Sequence, residues 1–427
     1  MDPVAAFLLT IAGVFLIGTL GEIVFRRTGV PDVVWLIVVG MALGPISGTL
    51  STQRLSAIAP YFAALTLIVI LFEGGSRLRI TELGQAALRA LLLALVSFVF
   101  AAVALAVLSM ALKQVKLLPA AWSWYHGFLL GSILGGSSSI VVLPAVGQAR
   151  VPAKLANLVG LESAFTDAFC VVGAATLISL LTPTAAAALE PVPALVRSLG
   201  IGLAAGAVGG GLWLLALHVL HESEYASPIT FAALLILYVI IGETGGSAAL
   251  GILTFAVIVG NAGWIGKRVG FSGDVDLGED VRGFSRQLAF IIKSFFFTFM
   301  GAMLAPPWSL IALGVVLGLV LLAVRVPAVW LATRAGEFSG TERRLVTVCL
   351  PRGMAAGVLA TLPASAGVAN TEWLPVTVFS AVVTTILLFA GGFPMTLRRL
   401  RAEPSEQPLP APAPASAIDE PQRTDSQ

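Results

Sequence analysis

The segment Gly160-Leu161-Glu162-Ser163-Ala164-Phe165-Thr166-Asp167 sets two carboxylates and two hydroxyls within little more than one helical turn. At helical spacing Ser163 and Asp167 share one face, and Glu162 and Thr166 share the adjacent one. Upstream, Gly135-Gly136-Ser137-Ser138-Ser139 interrupts an apolar run with helix-poor residues whose freed backbone carbonyls must line a cavity or bind something. Carboxylate, hydroxyl and carbonyl oxygens are hard ligands, suited to Na⁺ or K⁺ rather than to transition metals. A second interruption, Leu350-Pro351-Arg352-Gly353-Met354, pairs a missing backbone donor with a guanidinium inside another apolar run. Lys293 and Arg325 are the other basic residues in apolar surroundings, and Glu73 and Glu243 the other acids. Charges so placed pair, face water or move ions.

Each feature also has a structural reading. The Gly/Ser run suits close helix packing, and Glu162 suits a fixed pair with one of the three apolar-embedded cations. Lys293 suits a counter-ion that holds Glu162, and Arg325 suits a side chain that snorkels from its helix. Glu22 stands one turn before Arg26 and reads as a solvated pair at a helix end. The three histidines, His126, His218 and His221, fall at helix ends or loops without His-Glu-x-x-His-like spacing, which argues against an intramembrane metallohydrolase. Cys170 and Cys349 both sit in apolar stretches, which excludes a disulfide framework.

The elements that must hold these residues follow from composition. The 427 residues are 57% hydrophobic and only 11% charged, with a mean hydropathy of +0.96; an ordinary soluble domain is about 25% charged. No aqueous globule of this size is covered by so little charge, so the chain reads as an all-α polytopic membrane protein. Apolar runs predict thirteen transmembrane helices over 4–25, 31–47, 57–75, 86–112, 122–149, 156–181, 194–218, 228–242, 246–264, 286–304, 307–333, 344–365 and 373–396. Thirteen spans of roughly 20 residues use about 260, which leaves one transmembrane domain over 1–402 and a Pro- and Ala-rich tail over 403–427, expected to be disordered. Met1-Asp2-Pro3 lacks the positive region of a cleavable signal, so the first run is expected to be a retained helix.

With thirteen spans, one set of loops and the tail hold 18 of the 25 basic residues, among them Arg26, Arg77, Lys154, Arg286 and Arg343. The opposite loops hold Arg54, Lys113, Lys116 and Arg197. Positive charge stays cytoplasmic, which predicts the N-terminus outside and the C-terminus inside. The net charge of +2 gives no reason to expect nucleic acid as a partner. Six helices, a linker and six more is the arithmetic of an inverted repeat, although no sequence repeat is visible between the halves. Interrupted helices 5 and 12, one in each half, mark the transport site expected of such a fold.

At these residues the chain resembles the monovalent cation:proton antiporters, in particular their electroneutral NhaP/NHE-like branch, over nearly the whole membrane portion. The resemblance lies in Leu71-Phe72-Glu73-Gly74-Gly75, the Gly135–Ser139 run, Glu162–Asp167, Gly242-Glu243-Thr244-Gly245-Gly246-Ser247, Gly260-Asn261, Ile292-Lys293-Ser294-Phe295-Phe296-Phe297 and Pro351-Arg352-Gly353. It implies that Asp167 is the essential ion-binding carboxylate of a Glu-Ser-x-x-Asn-Asp pattern, here with Thr166 in place of Asn. It implies that Lys293 is the basic residue of helix 10 that pairs with the helix 6 Glu, and that Arg352 and Gly353 are the family's Arg-Gly motif. Ser137-Ser138-Ser139 replaces the Thr-Asp-Pro frequent in this branch and is closer to the potassium-linked version.

The expected function is therefore exchange of a monovalent cation, Na⁺ first, for H⁺, with no cofactor and no enzymatic reaction. Asp167 is expected to carry a proton or a cation but never both, with oxygens from Ser163, Thr166, Ser137, Ser138 and Glu73 replacing part of the cation's water shell. Glu162, held by Lys293 or Arg352, contributes no exchangeable proton, which makes the exchange one for one and electroneutral. The resemblance further implies a homodimer in a bacterial plasma membrane, with helices 4–6 and 11–13 moving against a panel of helices 1–3 and 8–10. K⁺ or Li⁺ in place of Na⁺, a channel, and a cation-coupled symporter of an organic solute are the alternatives.

Overall fold

The computed structural model describes residues 3–28, 31–48, 52–77, 85–149, 151–182, 191–220, 225–269, 278–334 and 338–402. The tail expected over 403–427 lies outside them. Among the described residues the chain forms sixteen α-helices and no strand. They are α1 (Pro3–Thr28), α2 (Asp32–Met41, continued by a π-helical turn over Ala42–Ile46), α3 (Thr52–Ser76), α4 (Gln85–Gln114), α5 (Trp124–Leu134), α6 (Ser139–Gln148), α7 (Ala153–Leu181) and α8 (Pro191–Leu220). There follow α9 (Ala226–Glu243), α10 (Ala248–Gly260), α11 (Ala262–Val269), α12 (Glu279–Ala302), α13 (Trp308–Thr333), α14 (Gly340–Val348), α15 (Met354–Ser365) and α16 (Leu374–Ala402).

An apolar chain in hydrocarbon must satisfy its backbone internally, and the helix does so within one segment. Boundaries fall where local chemistry ends that ladder. Pro31, Pro152 and Pro307 stand directly before α2, α7 and α13, positions where the missing N–H costs nothing. Ser339 and Glu342 close a capping box at the start of α14.

Among the described residues eight stretches are long and apolar enough to cross a membrane: 57–76, 88–114, 124–148, 153–181, 196–217, 226–243, 308–333 and 374–402. A ninth arises if α10 and α11, bent by 70° at Asn261, count as one span. The protein is thus an integral membrane protein. Of the thirteen expected segments, the short apolar helices 11–24, 32–46 and 354–365 do not meet this test. Nor does α12, which carries Glu279, Asp280, Arg282, Arg286 and Lys293.

The helices pack as two groups. α4 to α7 contact chiefly one another, α13 and α15, and α13 packs on α16; α1 to α3 contact one another, α10 and α12, and α8 and α9 join them through α10, while α15 crosses between the groups by packing on α3. Within the second group α2 and α12 approach until their backbones touch. A Cβ on Gly40 would lie 2.0 Å from the Thr298 carbonyl oxygen, and one on Gly301 2.2 Å from that of Ile37. Between the groups, Phe62 of α3, Phe296 and Phe299 of α12 and Phe379 of α16 form an aromatic layer with ring centroids 5.8 to 6.3 Å apart.

Gly40→Ala is expected to cost about 1–3 kcal/mol by overpacking this crossing, read as a lower melting temperature of the purified protein in detergent. Gly211→Ala, where a Cβ meets nothing within 4 Å, is expected to melt with the wild type or above it.

Candidate functional site

The two interruptions expected from the sequence lie against each other. α5 stops at Leu134 and α6 starts at Ser139, with Ser138 in extended backbone. α14 stops at Val348 and α15 starts at Met354, with Gly353 extended. Non-helical backbone in an apolar interior needs partners, and each interruption supplies them to the other. The Ser138 N–H donates to the Pro351 carbonyl at 2.8 Å, and an Arg352 Nη1 N–H donates to the Gly135 carbonyl at 3.3 Å. The Arg352 backbone N–H donates to Thr385 Oγ1 of α16 at 3.0 Å. A Cβ on Gly353 would lie 2.2 Å from Ser138 Oγ, so only glycine admits this approach.

α7 completes the accounting. The Ser137 N–H donates to Thr166 Oγ1 at 3.1 Å, Ser163 Oγ donates to the Ser137 carbonyl at 2.8 Å, and Thr166 Oγ1 donates to the Ser163 carbonyl at 3.0 Å. Ser137, Ser138, Ser163 and Thr166, expected from the sequence to face a cation, are all buried. None of them lines either of the two cavities described below. Their spacing brought them together, but the hydroxyls of Ser163 and Thr166 and the backbone of Ser137 and Ser138 hold the crossing, while Ser137 Oγ is buried and makes no hydrogen bond among the described residues.

The charges sort into pairs, and one pairing differs from expectation. Glu162 is held by Arg325, not by Lys293 or Arg352. Arg325 Nη1 and Nη2 donate to its two carboxylate oxygens at 2.7 and 2.8 Å. Arg325 Nε and Nη2 also donate to the Val346 carbonyl, each at 3.2 Å, so one guanidinium ties α7, α13 and α14 together. Both side chains are almost wholly buried, and Arg325 does not snorkel. Lys293 instead donates to Asp32 Oδ2 at 2.5 Å, an acid at the start of α2 that no motif in the sequence had marked. Glu73 pairs with Arg77 one turn along α3. Glu243 is exposed and ends α9, so it is not an acid of the interior. Cys170 and Cys349 are free and buried.

Two adjoining cavities, of about 480 and 380 Å³, lie between the helix groups, with Arg77 on the wall of both. Asp167 and Ser139 line both. Glu22, Glu73, Arg286 and Lys293 line the larger, and Asn157 the smaller. Ser139 was marked in the sequence only as part of the Gly/Ser run and not as a cation ligand, and Asn157 was not marked at all, because only the packing of α6 and α7 decides which side chains border this space. Asp167 makes no hydrogen bond and no ion pair among the described residues. Arg352 and Glu162 are the charges that act on it. The arrangement leaves one carboxylate open to water and ions inside a protein whose other interior acids are already paired. Among the described residues no group of three or more His, Cys, Asp or Glu is placed to hold a transition metal.

Comparison with known proteins agrees with this geometry. The model of a family described as sodium/hydrogen exchanger, transmembrane, matches residues 11–402. A K(+)/H(+) antiporter NhaP2 of Shewanella sp. strain MR-4 is 25% identical over 426 residues, covering 96% of this chain and 69% of that protein. Na(+)/H(+) antiporter 1 of Methanocaldococcus jannaschii is 23% identical over 382 residues, covering 86% of each. The structure of the sodium proton antiporter MjNhaP1 of that organism at pH 8 shares the fold, with a TM-score of 0.73, 20% identity, and coverage of 93% of this chain and 100% of that one.

Breaking the buried pair from one side strands a charge. Arg325→Met is expected to cost about 3–5 kcal/mol, and the double variant Glu162→Met/Arg325→Met to recover much of that loss, both measured as thermal melts of purified protein.

Proposed function

The chain belongs to the sodium/hydrogen exchanger family, a family of cation/proton antiporters and not of enzymes, and we propose that it exchanges Na⁺ for H⁺ one for one. The observation that carries the reading is Asp167, a carboxylate on the wall of both cavities with no partner among the described side chains. It binds a proton or a cation, and each displaces the other. Ser139 and water complete the cation's shell in the state described. Ser137, Ser138, Ser163 and Thr166 act by fixing the crossing backbone behind Asp167. Glu73, tied to Arg77, stands on the access route. Glu162 stays ionised against Arg325 and exchanges no proton, which leaves one titrating group and an electroneutral cycle.

The chain then makes thirteen passes, with interrupted helices formed by α5–α6 and α14–α15 in two inverted halves. Its N-terminus is outside and its C-terminus in the cytoplasm of a bacterial cell, and two copies associate through the panel. The cavities face the cytoplasm, and the Phe62–Phe296–Phe299–Phe379 layer closes the far side. Alternating access is the group α4–α7 with α13–α16 shifting against the panel so that the seal passes to the other side of Asp167. K⁺ is the second reading for the cation, supported by the relatives named as K(+)/H(+) antiporters.

Dequenching of a pH dye in everted vesicles tests this. Na⁺ added to wild type is expected to release the imposed proton gradient, and Asp167→Asn to abolish the response. The apparent KM for the cation is expected to rise about tenfold for each unit that pH falls below the titration of Asp167, since proton and cation compete for one site. A response to K⁺ alone selects the second reading. Current without a pH gradient selects a channel, solute-dependent cation uptake selects a symporter, and a rate that follows imposed voltage rejects one-for-one exchange.

A further inference from the structure

We propose that Asp32 sets the cation affinity of this site by cancelling the charge of Lys293 on the cavity wall. The inference rests on the reading of Asp167 as the site where the cation binds. Lys293 lines the same cavity as Asp167, yet its ammonium points to Asp32 Oδ2 at 2.5 Å and lies 5.2 Å from the ring centre of Phe290. Asp32 does not line the cavity; it is buried behind the wall as the first residue of α2, where the helix N-terminus favours a carboxylate. α1 covers it closely, since a Cβ on Gly21 would lie 3.3 Å from Asp32 Cβ.

The seat is rigid. α2 and α12 touch backbone to backbone at Gly40 and Gly301, so both partners belong to one packed unit. The pair therefore holds its geometry whatever α7 does across the cavity. The other charges that face Lys293 in this space are Glu22 of α1, Glu73 and Arg77 of α3, Arg286 two turns earlier on α12, and Asp167 of α7. Glu73 is already spent on Arg77.

An ammonium without a counter-ion here would repel an arriving cation and compete with it for the field of Asp167, and it would do so more strongly than in water. Paired with Asp32 it presents a dipole, whose field falls off faster with distance. Asp32 is thus a positioning residue. It touches neither the cation nor the proton, and it acts through Lys293.

The test is cation-driven dequenching in vesicles, analysed as KM against maximal rate for wild type, Asp32→Asn, Asp32→Glu and the double variant Asp32→Asn/Lys293→Met, with the cation that the wild type exchanges. Asp32→Asn is expected to raise KM about tenfold with little change in maximal rate. Asp32→Glu keeps the charge and is expected to keep the wild-type KM. The double variant, which removes the exposed ammonium together with its partner, is expected to restore KM to within about threefold of wild type. A purely structural role predicts no such rescue. An unchanged KM in Asp32→Asn, or a raised KM that persists in the double variant, overturns the proposal while leaving the antiport reading intact. If Asp32→Asn does not reach the membrane, the double variant decides alone, near-wild-type KM supporting the proposal and a tenfold rise overturning it. A wild type that moves no protons with any cation overturns the antiport reading and this proposal with it.

Discussion

In an apolar interior every backbone amide and carbonyl must find a partner within the protein, and the two helix interruptions meet that demand through each other and through hydroxyls of α7 and α16. Ser138 donates to Pro351 and Arg352 donates to Gly135, and neither segment has water to fall back on. The rest of the site depends on this exchange. It requires Gly353 where any side chain would collide with Ser138. It draws the hydroxyls of Ser163 and Thr166 into holding Ser137, and it starts α6 at Ser139, on the edge of the cavities that Asp167 lines.

The same solvent sets the rules for charge. Burying an ion costs several kcal/mol unless it is paired and hydrogen-bonded, and two interior pairs comply, whereas Arg352 is buried with a single side-chain hydrogen bond, to the Gly135 carbonyl. Arg325 gives Glu162 a two-pronged contact and spends its remaining donors on Val346. Lys293 and Asp32 join α12 to α2. What distinguishes Asp167 is that it stands outside this system of pairs while facing space large enough for an ion and water. On the proposed reading, a carboxylate in that position is stabilised alternately by a proton or by a cation brought from outside. The two helix groups divide the labour. One carries Asp167 and the crossing, the other carries the wall of paired charges and three of the four rings of the aromatic layer. A binding group on one body and a seal shared between two is the arrangement that relative movement can convert into transport.

Much of this was legible in the chain itself. The scarcity of charge excluded a soluble globule, the apolar runs located the helices, and Gly135–Ser139 and Pro351–Gly353 marked the interruptions because glycine, serine and proline cannot sustain the helical ladder. The Glu162–Asp167 cluster was visible because helical spacing turns a short stretch of polar residues into one patch. Less legible was which oxygen faces what. Ser163 sits one helical turn before Asp167 and Thr166 directly before it, and both belong to the same polar cluster, yet their hydroxyls go to the crossing, and Ser139 and Asn157 line the cavities instead.

Composition, spacing and periodicity by themselves determined a polytopic helical protein with a carboxylate cluster and two helix breaks, since these are local consequences of putting particular side chains on a helix in hydrocarbon. Only the tertiary structure decided the partners of the charges. Glu162 finds Arg325 163 positions away, and Lys293 finds Asp32 261 positions away, where the sequence had suggested Glu162 with Lys293 or Arg352. An ion pair across helices depends on which faces converge after packing. That convergence is governed by glycine contacts such as Gly40 on α12 and Gly353 on Ser138, which no pattern of charge along the chain encodes.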